Sequence, residues 1–579
     1  MKKDRIKIIF CVLILTAVSV LGGCALRPGP AKTEDGRVLF RLGFSGAPDS
    51  LNPYAAGNRE AEAVLGLLYD SLFTVDLATG ECVESLCQEY TVSDTVMGGK
   101  LWNITLQSGV LWHDGEPLTA SDVEFSLQSA KDLSTLYSYP ACEYLDTTGI
   151  AVEDDTHIAM VVWGEESYVK ECLARIPILP RHIWNEQEGM DYDTSGVPAD
   201  IVRAQTAIYS VGANTRTMIG SGPYIWAGYN NGVCALTRND EYWNGAAGPE
   251  AVELHYALPD PAAALTAGEI DACWDMSLNA YQTLAAEKAQ HVTAGTTGEL
   301  YILTFRFAGG SSPVRDIQVR QAVDCCLSRE TILLQAFGGG YAERGLLPPF
   351  SPWHYSNELT YVRPFSTATA AAVLENAGYR DTDGDGIREA PDGTPLRLTL
   401  LYSSGVPAWE KAAALLQGAC AGAGIGIRPV ALPPEEIYDA VAEGEYDIYL
   451  SARQTWPEPF FSLGYFYWDE GFNAYAADDG QGGFTSRGWN DSGYANGEYD
   501  ALYESLLSAA DKETRRDLTR RAGELLYNEA AALPVGFGVE YQAYSCVWAG
   551  AAYCPGSGVY FAPQTLAAQL RGMTAAGKQ

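Results

Sequence analysis

Residues 396–450 read LRLTLLYSSGVPAWEKAAALLQGACAGAGIGIRPVALPPEEIYDAVAEGEYDIYL. Leu396–Tyr402 reads as a strand and Pro407–Ala421 as a helix. Ile425–Val430 is a second strand, Glu435–Glu443 a helix ended by Gly444, and Asp447–Leu450 a third strand. Strand–helix–strand–helix–strand is the pattern of an α/β domain, whose parallel strands need covering helices. In such folds ligands sit at the carboxyl ends of strands. Upstream, Val319, Ala322, Val323, Cys326 and Leu327 recur at i, i+3, i+4, i+7 and i+8, one buried stripe of a helix that starts after Asp316. Further back, Trp102–Leu106 leads through a turn at Gly109 to Leu111-Trp112, a hairpin-like region. Thr119, with Asp122 three residues on, then opens a helix whose Val123, Leu127 and Ala130 share a face.

The whole chain has 579 residues, 47% of them apolar and 19% charged, which is a globular composition of several compact units. Its 38 Lys and Arg stand against 73 Asp and Glu, a net charge of −35. Such a surface repels phosphate backbones and anionic headgroups, so nucleic acid is excluded as a partner and membrane attachment cannot rest on a basic face.

The first residues form an export signal. Lys2, Lys3, Arg5 and Lys7 precede an apolar run from Ile8 to Leu21, too short to span a bilayer comfortably. The run ends in Leu21-Gly22-Gly23-Cys24, which resembles a bacterial lipobox. That resemblance implies a leader over residues 1–23 and a diacylglyceryl group on Cys24, anchoring the chain on the outer face of the cell membrane. The Pro- and Gly-rich residues 24–36 read as a tether. No later stretch is long and apolar enough for a transmembrane helix. Of the 13 Cys, 11 remain after Cys11 and Cys24, and none forms a CxxC pair. Most read as small buried hydrophobes, Cys325 and Cys326 among them, while Cys82/Cys87 and Cys546/Cys554 are spaced to close small loops.

Several stretches occur together in one order: Leu51-Asn52-Pro53, Leu68–Phe73 (LYDSLF), Gly109–Val123 (GVLWHDGEPLTASDV), Gly220–Tyr224 (GSGPY), Asn239–Gly245 (NDEYWNG), Arg315–Ala322 (RDIQVRQA) and Leu374–Tyr379 (LENAGY). This set resembles the bacterial extracellular solute-binding proteins of family 5, the oligopeptide-, dipeptide- and nickel-binding components of ABC importers. The resemblance implies a two-lobed α/β clamp of three domains, of the periplasmic-binding-protein type. Residues 37–298 would form the first lobe, with an inserted subdomain at about 60–190. Residues 299–530 would form the second lobe, and 531–579 would return to the first. A small-molecule or peptide ligand binds between lobes that close by a hinge, the permease subunits with their cytoplasmic ATPases accept the closed form, and no bond in the cargo is broken. The expectation is a monomer without cofactor or catalytic residues.

The candidate ligand-binding residues are Trp456, Arg453, Thr455 and Tyr402, with Trp112 and Tyr54 as weaker ones. Residues 456–494 hold 12 aromatics in 39 positions, against 11% overall, without helical or strand periodicity, a composition suited to an adaptable pocket or to a loop-rich core. Many peptide-binding members of the family carry an Asp that pairs with the peptide's amino group where this chain has Thr455. A hydroxyl supplies no countercharge to a buried ammonium. Arg453 offers a planar fork for a carboxylate or phosphate, or for a salt bridge between lobes. The expected cargo therefore carries an acidic group or lacks a free amine. Asp381, Asp383, Asp385 and Asp392 form a calcium-loop-like run that also reads as a solvated turn. The six His are isolated, which argues against a metal site. Asp114 and Glu116 flank Gly115 in a turn and read as scaffold rather than an acid/base pair. Two rival readings are an exported hydrolase, marked by a raised-pKa Glu facing a second carboxylate, and a peptide sensor or chaperone on the same clamp.

Overall fold

The computed structural model describes residues 29–137, 145–184 and 218–576, apart from 52, 54–55, 57, 78–80, 97–98, 164–165, 288–289, 308–311, 456–458, 468–489, 491, 510, 555–556 and 563–564. Ten strands form the main path of a twelve-stranded sheet. They are β1 (Val38–Gly43), β2 (Tyr224–Asn230), β3 (Val233–Arg238), β4 (Ala251–His255), β5 (Ala272–Cys273), β6 (Gln290–Phe305), β7 (Arg397–Ser403), β8 (Gly426–Leu432), β9 (Ile448–Gln454) and β10 (Ala532–Ser545). Across the sheet their order is β8-β7-β9-β6-β10-β5-β1-β4-β3-β2.

One end of this sheet is the α/β unit expected for residues 396–450. β7 runs parallel to both β8 and β9. The helices Pro407–Ala421 and Pro434–Glu443 make the crossovers that parallel pairing requires. Gly444 closes the second helix in the left-handed conformation. At the other end β1 is parallel to β4 and β5, and the antiparallel β3 and β2 complete the edge.

The two ends meet in β6 and β10, which pair antiparallel from Gln290↔Ser545 to Thr304↔Ala532. β9 pairs with β6 only from Glu299 onward, and β5 pairs with β10 only at Ala543 and Tyr544. Each long strand therefore belongs to one lobe at one end and to the other lobe at its opposite end. The ladder loses register between Thr296 and Leu300, where Gly298 takes φ +78°. A bulge at a glycine weakens the ladder there, as a hinge needs.

An antiparallel four-stranded sheet, Cys87–Asp94, Lys100–Leu106, His157–Val162 and Leu145–Val152 in that spatial order, lies between β1 and β2 in the chain and is separate from the main sheet. Trp102, fully buried, stacks on Tyr90 with ring centroids 5.1 Å apart. Val123, Leu127 and Ala130 are buried, as is the whole stripe from Val319 to Leu327. Cys87, Cys546 and Cys554 are free thiols, so neither small loop is bridged. Among the described residues no helix is long and apolar enough to cross a membrane.

Four of the quoted motifs converge on one knot. Asp70 accepts hydrogen bonds from Tyr242 Oη (2.7 Å), Trp243 Nε1 (3.0 Å) and Ser221 Oγ (3.0 Å). His113 is held between Gly220 and Gly222: Gly220 N–H donates to Nδ1 (3.1 Å), and Nε2 meets the Gly222 carbonyl (2.9 Å), which fixes the tautomer. Asp114 is taken up by the amide of Glu116 and by His182 (2.8 Å).

Candidate functional site

The carboxyl ends of β9, β1 and β5 come together beside the break in the β6–β10 ladder. Thr455 follows β9 directly and is buried. Its N–H (2.9 Å) and its hydroxyl (2.7 Å) both donate to the Gly298 carbonyl. Arg453 lies two residues earlier on the same face, and its guanidinium sits 4.5 Å from the Tyr465 ring centroid.

The first lobe contributes a charged cluster to the same crossing. Asn58 caps the helix Arg59–Leu68 by accepting from the Ala61 amide. Arg59, at the helix's first position, reaches Glu540 (3.0 Å), Glu60 (3.8 Å) and Asp275 (3.9 Å) and stands over Trp274. Asp275 follows β5 and accepts from the Ser45 amide beyond β1 (3.0 Å). Glu540 lies on β10 opposite Gly295, three residues from the Gly298 carbonyl that Thr455 holds. Three carboxylates thus surround one guanidinium.

Glu540 is the perturbed member. Burial pushes its pKa up to about 7, against the pull of Arg59 and Gln542. Its two oxygens are engaged by Arg59 and by the Gln542 amide (2.7 Å), so neither faces a substrate as a general acid would. Because the folded value lies above the unfolded one, the stabilisation from protonated Glu540 is complete below about pH 4.5 and is lost as pH rises through about 7. Glu540→Gln is expected to remove that fall, about 3 kcal/mol. Urea melts of both proteins at several pH values check this; parallel curves contradict it.

The structure does not bring the remaining described candidates, Tyr402 and Trp112, to this crossing. Tyr402 is buried in the second-lobe core, because β7 meets β9 only at Leu400↔Ile448 and Leu401↔Tyr449, well before Thr455. Trp112 is buried in the first-lobe core, its turn closed by hydrogen bonds to Glu116 O and from Gly115 N. Trp456, Tyr54 and Cys24 lie outside the described residues. Of the aromatics in 456–494, Phe460, Phe461, Phe466 and Tyr494 are buried core residues, and residues 468–489 lie outside the description. Asp381, Asp383 and Asp385 do cluster, all exposed, but backbone amides of Gly384, Asp385, Gly386 and Ile387 already cap them, and Arg397 pairs with Asp385. Asp392 is not in that group and caps the Thr394 amide instead. Arg59, Asp275 and Glu540 escaped the reading of the sequence. The usable signal was positional, since Ser45 and Asp275 each follow the carboxyl end of a parallel strand.

The family model for bacterial extracellular solute-binding proteins, family 5 Middle, matches residues 81–474. The oligopeptide-binding protein AppA of Bacillus subtilis (strain 168) is 24% identical over 494 residues, 78% of this chain and 84% of that one. The solved structure of Bacillus subtilis AppA in complex with a nonapeptide has a TM-score of 0.65 at 20% identity, covering 95% of this chain and 100% of that one. NikZ from Campylobacter jejuni in complex with Ni(L-His) also gives 0.65, at 18% identity, covering 93% and 99%. The likeness to these structures bears on the fold, the two-lobed α/β clamp.

Proposed function

Because the chain belongs to the bacterial extracellular solute-binding proteins of family 5, we propose that it is the receptor of an ABC importer, capturing a small polar solute between its lobes outside the cytoplasmic membrane. The observation that carries this reading is the β6–β10 crossing. Two antiparallel strands join the lobes, their ladder breaks at Gly298, and polar residues from both lobes flank the break. Bending there opens or closes the crevice without unfolding either lobe. Cys24 bears the lipid anchor, and permease subunits with cytoplasmic ATPases receive the closed form. Both oxygens of Glu540 are engaged and Asp114 is held in its turn, so neither of these two is placed as a free general acid.

The cargo has an acidic group or no free amine. Thr455 spends its hydroxyl on the Gly298 carbonyl, so it adds no countercharge for an ammonium. Arg453, stacked on Tyr465, presents a guanidinium suited to a carboxylate or phosphate. Native mass spectrometry of freshly purified protein weighs the co-purifying solute. Calorimetry then compares unblocked peptides with their N-acetylated forms. Binding that survives acetylation is expected; tight binding that vanishes on acetylation overturns the cargo assignment.

A further inference from the structure

The break in the β6–β10 ladder is wider than one extra residue. Pairing stops at Thr296↔Val539 and resumes at Leu300↔Phe537, so residues 297–299 stand against Gly538 alone. Gly298, at φ +78°, lies in the middle of that stretch. A ladder interrupted in this way leaves peptide groups that other segments must take up. At Gly298 both groups are taken up. Its N–H donates to the Thr296 hydroxyl (3.1 Å), and its carbonyl accepts twice from Thr455, from the N–H (2.9 Å) and from the hydroxyl (2.7 Å).

The contacts continue into the first lobe. Thr296 is buried, and its N–H donates to the Ser557 carbonyl (2.8 Å). The Thr293 hydroxyl donates to the next carbonyl, that of Gly558 (3.0 Å). Between them Gly295 lies so close that a Cβ there would stand 2.4 Å from the Ser557 oxygen. The segment carrying Ser557 is seated on the first lobe, since its Phe561 meets Phe40 of β1 with ring centroids 6.0 Å apart. Thr455, at the other end, is buried and follows β9 of the second lobe. One line of hydrogen bonds, from Thr455 through Gly298 and Thr296 to Ser557, therefore joins the lobes through the point where their ladder breaks.

We propose that Thr455 is a positioning residue for lobe closure, bolting the end of β9 to the hinge peptide and so setting how readily the lobes move. Bending at residues 297–299 turns the Gly298 peptide, and both Thr455 bonds end on its one carbonyl, so bend and bolt oppose each other. Arg453 lies two residues back on the same strand, so a cargo group that displaces this strand end reaches the hinge through Thr455. The bolt stands on the hydrogen bonds alone; its consequence for closure rests on the clamp reading above.

Hydrogen-exchange mass spectrometry is run on the full chain as wild type, Thr455→Val and Thr455→Ser. The amides of Thr296 and Gly298 are the reporters, and the helix Ile317–Cys325 is the reference. Thr455→Val is expected to speed exchange at the reporters about fivefold, the effect of one lost hydrogen bond, while the reference helix keeps the wild-type rate. Thr455→Ser keeps the hydroxyl and is expected to exchange as wild type. Thr296→Val removes the acceptor of the Gly298 amide from the other side and is expected to give the same acceleration at Gly298. Reporters in Thr455→Val that exchange as in wild type, or that speed up only together with the reference helix, overturn the bolt. Small-angle scattering of the same proteins reads the lobe arrangement, and Thr455→Val is expected to differ from wild type in radius of gyration where Thr455→Ser does not. Accelerated reporters with one radius in all the proteins keep the bolt and remove the clamp reading. A radius that shifts in Thr455→Val while the reporters hold the wild-type rate removes the bolt alone.

Discussion

Replacing Asp324 by Ala is expected to destabilise the protein by about 3–5 kcal/mol, because it strands two buried guanidinium groups. Asp324 is fully buried on the helix Ile317–Cys325. Its oxygens meet Arg329 at 2.6 Å and Arg363 at 2.5 Å, and those side chains are only 3% and 7% exposed. Each arginine is fixed elsewhere: Arg329 to the carbonyls of Glu343 and Pro534, Arg363 to the carbonyl and ring of Tyr527. Neither can swing to water, so the loss is not relieved. Burial pushes the Asp324 carboxyl up, but its two arginine partners outweigh it and hold it below the ordinary carboxylate range. A lowered folded pKa supplies stability above the unfolded value and loses it as pH falls through the folded one. The gap between wild type and Asp324→Ala should therefore be full at neutral pH and shrink below about pH 4. Asp324→Asn, which keeps the shape, should fall between the two in urea melts. A variant as stable as wild type at pH 7 would falsify the ion-pair account.

What could be read from the chain, and what could not, divides along contact distance. Helix Pro407–Ala421 has the bounds that the sequence indicates, and the stripe from Val319 to Leu327 is buried as its spacing requires. Both are local consequences of periodicity. Asp324 sits inside that second helix, but nothing near it in sequence announces Arg363, 39 residues away. The first-lobe sheet is less legible still. β1 takes β4 and β5 as partners more than 200 residues downstream, and that register is set by packing across the fold. The candidate site shows the same division. Thr455 stands out against the family's pattern and Arg453 is its near neighbour in sequence, whereas Arg59, Asp275 and Glu540 become a cluster only when three distant segments are folded together. Trp112 and Tyr402 show the converse: an aromatic beside a turn or a strand end reads as a ligand contact until the core claims it.

Gly220→Ala should be nearly as damaging, about 3–5 kcal/mol, although it adds a single methyl group. A Cβ at this position would stand 1.8 Å from the Leu68 carbonyl oxygen and 2.7 Å from its carbon. The obstruction is backbone, so no rotamer change relieves it. That backbone is also held in place, since the Gly222 amide donates to the same oxygen at 2.8 Å. Moving either segment pulls on the knot in which His113 bridges Gly220 and Gly222 and Asp70 gathers Ser221, Tyr242 and Trp243. Ser221 and Tyr242 are buried, Trp243 is half-buried, and the three would lose their acceptor together, which makes the cost cooperative. Gly418→Ala supplies the control. That glycine lies within the helix Pro407–Ala421 with nothing within 4 Å of an added Cβ, so helix propensity should raise stability by up to about 1 kcal/mol. Thermal melts of the two variants beside wild type should therefore move in opposite directions. If Gly220→Ala melts with wild type, the motif stretches are held by something other than this close approach, and their role as the scaffold of the first lobe loses its physical basis.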